Sequence, residues 1–288
     1  MVENPKIDLH FRSKIQGREL LRKTGRYIIS SLFGFKNKHV LNDIKTYCMF
    51  IGPGRCGHTL IGTLLDAHPN IIISDGLDTL KYVEAGFKKN QIFSLILQRA
   101  KRFARQGKIR GEYHYLVPNQ WQGKFNKKIS VIGDKHARNT ILRLHYHPRA
   151  LSQLRNTING AKYIHAVRNP YDNITTIAFR DKLDIKDAID YYFGICSFVA
   201  EMKTQIDKND ILEIHHEMFI QYPKLWLKKT GDFLNVEMTD DYLNDCVGIV
   251  YKSPRKSRYD IEWTDELKEL VKNKMLQFDF LKEYSFDN

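Results

Sequence analysis

Apolar residues fall along the chain in short runs separated by amphipathic stretches. From Thr46 the sequence reads TYCMFIG, an apolar run closed by Gly52, then PGRCGHT, then LIGTLLDAHP with Leu60, Ile61, Leu64 and Leu65 at helical spacing. That order predicts a strand, a tight loop and a helix. Asn70 to Ser74 (NIIIS), Ile129 to Asp134 (ISVIGD), Ala161 to Arg168 (AKYIHAVR) and Asp210 to His215 (DILEIH) read as further strands. Helices are predicted over PRALSQLRNTI, over about Ile185 to Gln205, over PKLWLKKTGDFL, and over TDELKELVKNKML with Thr264 as its N-cap. Strands alternating with helices imply an α/β fold, a three-layer sandwich around a central parallel sheet. Asp75 to Lys128 carries helical pattern with little strand signal. Within it, Gly107 to Lys128 is aromatic and loop-like.

Composition narrows the class. The 288 residues are 42% hydrophobic and 27% charged, which excludes disordered, collagenous and coiled-coil chains. Four scattered cysteines, Cys48, Cys56, Cys196 and Cys246, have no zinc-site spacing and no disulfide framework, so a reducing, cytoplasmic setting is expected. No apolar run reaches the length of a transmembrane helix, and Tyr27 to Phe35 is short and flanked by Arg22, Lys23, Arg26, Lys36 and Lys38.

Charge adds a direction. Lys and Arg number 46 against 33 Asp and Glu, a formal net charge of +13. Residues 1–45 hold ten basic against four acidic side chains, and residues 81–128 hold twelve against two. Such a surplus implies an anionic partner: nucleic acid, a membrane surface, or a small phosphate- or sulfate-bearing ligand.

The third of these is favoured by Gly52 to Thr59, whose outline G-x-x-x-x-G-x-T follows a strand and precedes a helix. Backbone N–H groups of such a loop and of the helix N-terminus converge on an anion. His58 stands where a nucleotide triphosphatase carries its lysine, so the usual contact to the β and γ phosphates is missing.

Arg55-Cys56-Gly57-His58-Thr59-Leu60, followed by LLDAHPN, resembles the first motif of the sulfotransferases that use 3′-phosphoadenosine-5′-phosphosulfate (PAPS), in the style of bacterial and tyrosylprotein enzymes. HAVRNPYDNITT is similar to that family's 3′-phosphate motif, with Arg168 and, eight positions later, Thr176. VIGDKHARN resembles the stretch that puts a lysine, here Lys135, beside the transferring group. Glu217 falls at the family's late acidic turn, and YKSPRKSRYDIEW resembles its basic closing loop, with Arg255 and Arg258. The resemblance runs from about Thr46 to Tyr284.

It implies a P-loop-like sulfotransferase fold, with residues 1–45 a basic N-terminal helical arm, residues 46–288 a single domain, and residues 75–128 an insertion forming the acceptor-side lid. It implies PAPS as co-substrate, no metal, and no nucleic-acid partner. Nucleotide binding is expected of Arg55, Cys56, Gly57, His58, Thr59, Arg168, Thr176, Arg255 and Arg258, and catalysis of Arg55 and Lys135. The general base is open. The tyrosylprotein enzymes carry a Glu seven residues after the Pro of the DAHP segment, where Gly76 stands here. Asp75 and His136 are the candidates, with Asp78 and His114 behind them, since a His serves near neutral pH while an Asp needs burial. The acceptor, a hydroxyl or amine, is expected to belong to a small molecule. A P-loop kinase, with Asp134 closing a Walker B-like strand, and a non-catalytic polyanion binder are the alternatives.

Overall fold

The computed structural model describes residues 19–110 and 113–288, with side chains from Gly25 onward. The N-terminal eighteen residues of the expected arm lie outside the described residues. In chain order the elements are helices α1 (Glu19–Lys36) and α2 (Lys38–Leu41), strand β1 (Thr46–Ile51), α3 (His58–Asp66), β2 (Ile71–Asp75), α4 (Thr79–Glu84) and α5 (Lys89–Arg105). A two-residue ribbon follows, β3 (Ile109–Arg110) and β4 (Tyr113–His114), then β5 (Val131–Lys135), α6 (Ala137–Tyr146), α7 (Ala150–Thr157) and β6 (Ala161–Val167). The chain continues through α8 (Pro170–Asp181), α9 (Ile185–Lys203), β7 (Ile211–His215), α10 (His216–Gln221), α11 (Pro223–Leu234), α12 (Asp240–Val247) and α13 (Asp265–Met275).

Five strands form one parallel sheet in the order β2-β5-β1-β6-β7. Both faces are covered, as a parallel sheet requires. Alternation along β1 shows it: Tyr47, Met49 and Ile51 enter one core, and Cys48 and Phe50 the other. The strands therefore read as continuous apolar runs rather than as polar-apolar alternation. Thr264 caps α13, its hydroxyl accepting from the Leu267 N–H.

The predicted strands and helices fall where the pattern put them, and α6, α8, α10 and α12 are added to them. The segment between β2 and β5 contributes α5, whose Ile92, Phe93, Ile96 and Ala100 are buried in the core beside the sheet. It also contributes the antiparallel β3–β4 ribbon, pairing Ile109 with His114 and Arg110 with Tyr113. A ribbon this short has no periodicity to betray it.

Strand order reverses about β1: the helix after β1 leads to β2 on one side, while β6 and β7 lie on the other. The crevice at the carboxyl ends of strands flanking such a switch is where open α/β sheets hold ligands. The Gly52–Gly57 loop sits there.

Candidate active site

The phosphate loop leaves β1 with positive φ at Gly52 (127°), Arg55 (70°) and Gly57 (83°). Gly57 N-caps α3, and a Cβ there would stand 2.3 Å from Nδ1 of His216. Both its φ and its surroundings demand glycine. His216 itself is held neutral, its pKa pushed down to about 3 by burial and by Arg168. Its Nδ1 is buried with no hydrogen-bond partner.

His58 turns inward. Its Nε2–H donates to the Ile51 carbonyl at 3.0 Å, its ring lies edge-on to Phe50, and burial lowers its pKa to about 3. The side chain braces the loop from beneath, so what it offers an anion is the backbone N–H at the start of α3. Cys56 is buried too, accepting from Asn173 Nδ2 at 2.9 Å, and burial pushes its thiol up to about 12. Arg55 points outward with 46% of its side chain exposed, 3.8 Å from Asp181, which Arg138 approaches at 3.6 Å.

The cation missing at His58 comes from the neighbouring strand. Lys135, last residue of β5, places Nζ 3.1 Å from the Thr59 hydroxyl and 2.7 Å from Asp75 Oδ1. Asp75 ends β2 and also receives Arg110 from the ribbon, at 3.0 Å on each carboxylate oxygen. Burial works to raise the Asp75 pKa, but Lys135 and Arg110 outweigh it and hold the carboxyl below the ordinary carboxylate range. Arg99 of α5 adds a bond to the Asp75 carbonyl at 2.9 Å.

The other base candidates lie elsewhere. His136 is the N-cap residue of α6, with Nδ1 enclosed and without a hydrogen-bond partner. Burial lowers its pKa against the pull of Asp134 and Asp78. Asp78 forms a two-pronged pair with Arg143, at 3.0 and 2.7 Å. His114 is exposed on β4. Asp134, the residue that a Walker B reading needs, accepts from Ser74 Oγ and from the N–H groups of Leu77, Asp78 and Thr79 at 2.7–3.2 Å. Its four lone-pair sites are filled in shaping the turn after β2.

Arg168 and Thr176, paired by the motif resemblance, are in contact. Arg168, buried at the end of β6, donates through Nη1 to Thr176 Oγ1 at 3.3 Å and to the Arg55 carbonyl at 3.4 Å. Through Nη2 it reaches Ser257 Oγ at 3.1 Å and the Arg255 carbonyl at 2.6 Å, while its buried Nε has no partner. One guanidinium thus joins the phosphate loop, α8 and the basic C-terminal loop. Glu217 fastens the same region, accepting from the Asn169 N–H and from the Tyr284 hydroxyl, each at 2.9 Å.

The two arginines of that loop part company. Arg255 is exposed and pairs with Asp260 at 2.8 Å. Arg258 is buried against Asp172, to which its Nε donates at 3.1 Å and its Nη2 at 2.9 Å, while Nη1 reaches the carbonyls of Ser285, Phe286 and Asn288. It latches the C-terminus to α8 and has no donor turned toward the phosphate loop.

Over the Asp75 side lies an aromatic cover. Tyr113 of the ribbon stands between Tyr115 and Tyr251, ring centroids 6.1 and 5.9 Å away. Lys108 roots this cover through a buried pair with Asp66 at 2.5 Å. Arg110, Lys108, Ser257 and Asp172 escaped the sequence reading: each has a partner far off in the chain.

The Sulfotransferase family model matches residues 49–240, which contain the phosphate loop, Asp75, Lys135, Arg168 and Thr176. No curated protein sequence matches the chain. Among solved structures it is similar to the sulfotransferase domain of the Synechococcus PCC 7002 olefin synthase, with 16% identity, 83% of this chain and 84% of that one covered, and TM-score 0.42. It is also similar to a sulfotransferase from Alicyclobacillus acidocaldarius (14%, 84% and 98%, 0.47) and to mouse sulfotransferase SULT7A1 complexed with PAP (11%, 79% and 73%, 0.41). Since the family match spans well over half of its length, the chain belongs to the sulfotransferase family.

Proposed function

We propose that the protein transfers a sulfuryl group from PAPS to a hydroxyl or amine of a small acceptor. The carrying observation is Lys135, whose ammonium links the Thr59 hydroxyl of the phosphate loop to the Asp75 carboxylate. The residues present fit the nucleotide: the buried Arg168 carries an unpartnered Nε, and its guanidinium reaches Thr176. The N–H groups of Gly57 to Thr59, with Arg55, would hold the 5′-phosphosulfate end. Arg168, Thr176, Ser257 and Arg255 would hold the 3′-phosphate. When bound, PAPS supplies the sulfuryl group, and charge develops on the oxygen it leaves.

Lys135, Thr59 and the α3 N-terminus stabilise that charge, in the manner of phosphoryl-transfer sites. We assign Asp75 as the group that orients the acceptor and takes its proton, because it alone of the base candidates touches Lys135. His136 sits at the start of α6, and its buried Nδ1 has no hydrogen-bond partner. Of segment 75–128, α5 belongs to the core, and the acceptor-side lid is the part beyond it, with Arg110 and the Tyr113, Tyr115 and Tyr251 rings closing over Asp75. Four free, buried cysteines support a cytoplasmic setting, and no described helix is long and apolar enough to cross a membrane. Against a kinase stand the inward His58 and the saturated Asp134.

Thermal-shift titration tests this reading. 3′-Phosphoadenosine-5′-phosphate should raise the melting temperature by mass action, and ATP with magnesium far less. Equal shifts would return the kinase reading.

A further inference from the structure

Helix α1 is built inside out. The side that meets α5 is small and polar: Ser30 is fully buried, a Cβ on Gly34 would stand 3.1 Å from the Asn90 carbonyl, and Gln91 Nε2 donates to the Tyr27 carbonyl and the Ser31 hydroxyl. The opposite side carries Ile28, Leu32 and Phe35 at i, i+4 and i+7, 57%, 68% and 81% exposed, with Ile29 beside them at 54%. An amphipathic helix on a globular protein turns such a stripe toward the core. Here the core contact is made without it, and the stripe is left as a contiguous apolar patch, the kind that marks a docking surface.

Charge identifies the occupant. From Leu20 to Asn42 the sequence holds five Lys and Arg and no Asp or Glu. Lys36 and Lys38, at the end of the stripe, are exposed. A second copy of the chain would set these like charges against each other. A bilayer containing anionic lipid accepts both features at once, apolar side chains among the acyl chains and cations at the headgroups.

We infer that α1 lies in the interface of an anionic membrane, with Ile28, Ile29, Leu32 and Phe35 inserted and Lys36 and Lys38 against the headgroups. The inference is independent of the reaction assigned to the site, since α1 contributes no residue to it.

The test is flotation of the full chain with vesicles of phosphatidylcholine, with and without phosphatidylglycerol. The wild type should float with the phosphatidylglycerol vesicles and be released by salt, the cationic contribution being screened. Leu32→Ser with Phe35→Ser should weaken binding by about tenfold or more. Melting temperature and nucleotide-induced shift should not change, because the altered side chains touch solvent. Ile28→Asn with Ile29→Asn is a second pair with the same expectation. Lys36→Gln with Lys38→Gln should weaken binding severalfold at low salt and little at high salt. The inference fails if the wild type stays in the aqueous fraction, if both apolar pairs float like wild type, or if the wild type is a vesicle-indifferent dimer that Leu32→Ser with Phe35→Ser makes monomeric.

Discussion

Asp75 and Lys135 are register partners, the last residues of adjacent parallel strands β2 and β5, and their side chains meet at 2.7 Å. Parallel register keeps partnered side chains on the same side of the sheet, so the pair is set by the backbone ladder itself. Lys135 spans from this carboxylate to Thr59, and any group seated between Thr59 and Asp75 lies under its ammonium.

Lys135→Ala should therefore slow transfer by about 10² to 10³ while changing the affinity for 3′-phosphoadenosine-5′-phosphate little, since its partner is charge that grows in the transition state. Single-turnover rates beside equilibrium binding check this. Equal losses in both would make Lys135 a binding residue only.

Asp75→Asn should cost about 10² to 10⁴ in rate as the loss of a proton acceptor, and His136→Gln only a few-fold. Because Lys135 and Arg110 hold the Asp75 carboxyl below the ordinary carboxylate range, the wild-type rate should show no acidic limb from Asp75 between neutrality and pH about 5. Arg110→Ala removes one of the two cations and should move that limb upward. A rate profile altered by His136→Gln and untouched by Asp75→Asn would transfer the role to His136.

Arg168→Ala should weaken nucleotide binding about tenfold to a hundredfold through loss of charge-assisted hydrogen bonds, and Thr176→Ala less, as a neutral hydroxyl. Arg168→Lys keeps the charge without the fork and should fall between. Titration calorimetry with 3′-phosphoadenosine-5′-phosphate reads all three. Wild-type affinity in Arg168→Ala would reduce the residue to a tie between loops.

Arg255 and Arg258 should separate by assay. Arg258→Ala leaves Asp172 as an unpaired buried carboxylate and should destabilise the fold by about 3–5 kcal/mol in urea unfolding. Arg255→Ala, at an exposed position, should stay within about 0.5 kcal/mol of wild type and act on nucleotide affinity instead. The reverse pattern would restore Arg258 to the nucleotide site.

Acid should lower the stability of the fold before it titrates the carboxylates. His58 and His216 are neutral in the folded state with pKa values near 3, against an ordinary value of about 6.5 in the unfolded chain. Between those values the unfolded state binds the extra protons, so stability is complete above about pH 6.5 and falls as pH drops toward 3. His58→Gln keeps a donor for the Ile51 carbonyl and removes one such group. Its melting temperature should decline less between pH 7 and 5 than that of the wild type. Parallel declines would show that His58 is not protonated on unfolding.

The sequence alone determined what depends on near neighbours. The order strand, loop, helix around Gly52 to Thr59 follows from an apolar run, two glycines and a helical repeat within twenty residues, because backbone hydrogen bonding and side-chain periodicity act over that distance. Arg168 and Thr176 were legible as a pair through the resemblance of HAVRNPYDNITT to the family's 3′-phosphate motif, and they meet in the structure because one directly follows β6 and the other lies on the next helix, α8. Partner choice was not legible. Charge number could not say that Arg258 would sink onto Asp172 while Arg255, three residues earlier, stayed in solvent. Nor could it say that His58, in the place of a phosphate-binding lysine, would turn under its own loop while Lys135, from a strand seventy-six residues downstream of Thr59, took the cation's place. The Ile28, Leu32 and Phe35 stripe has the spacing of a core face, and only the packing of Gly34 and Ser30 on α5 turned it outward. Such outcomes rest on distances and dielectric surroundings that exist only once the chain is folded. Among many like charges and apolar residues the composition is degenerate, and the three-dimensional placement of the backbone breaks that degeneracy.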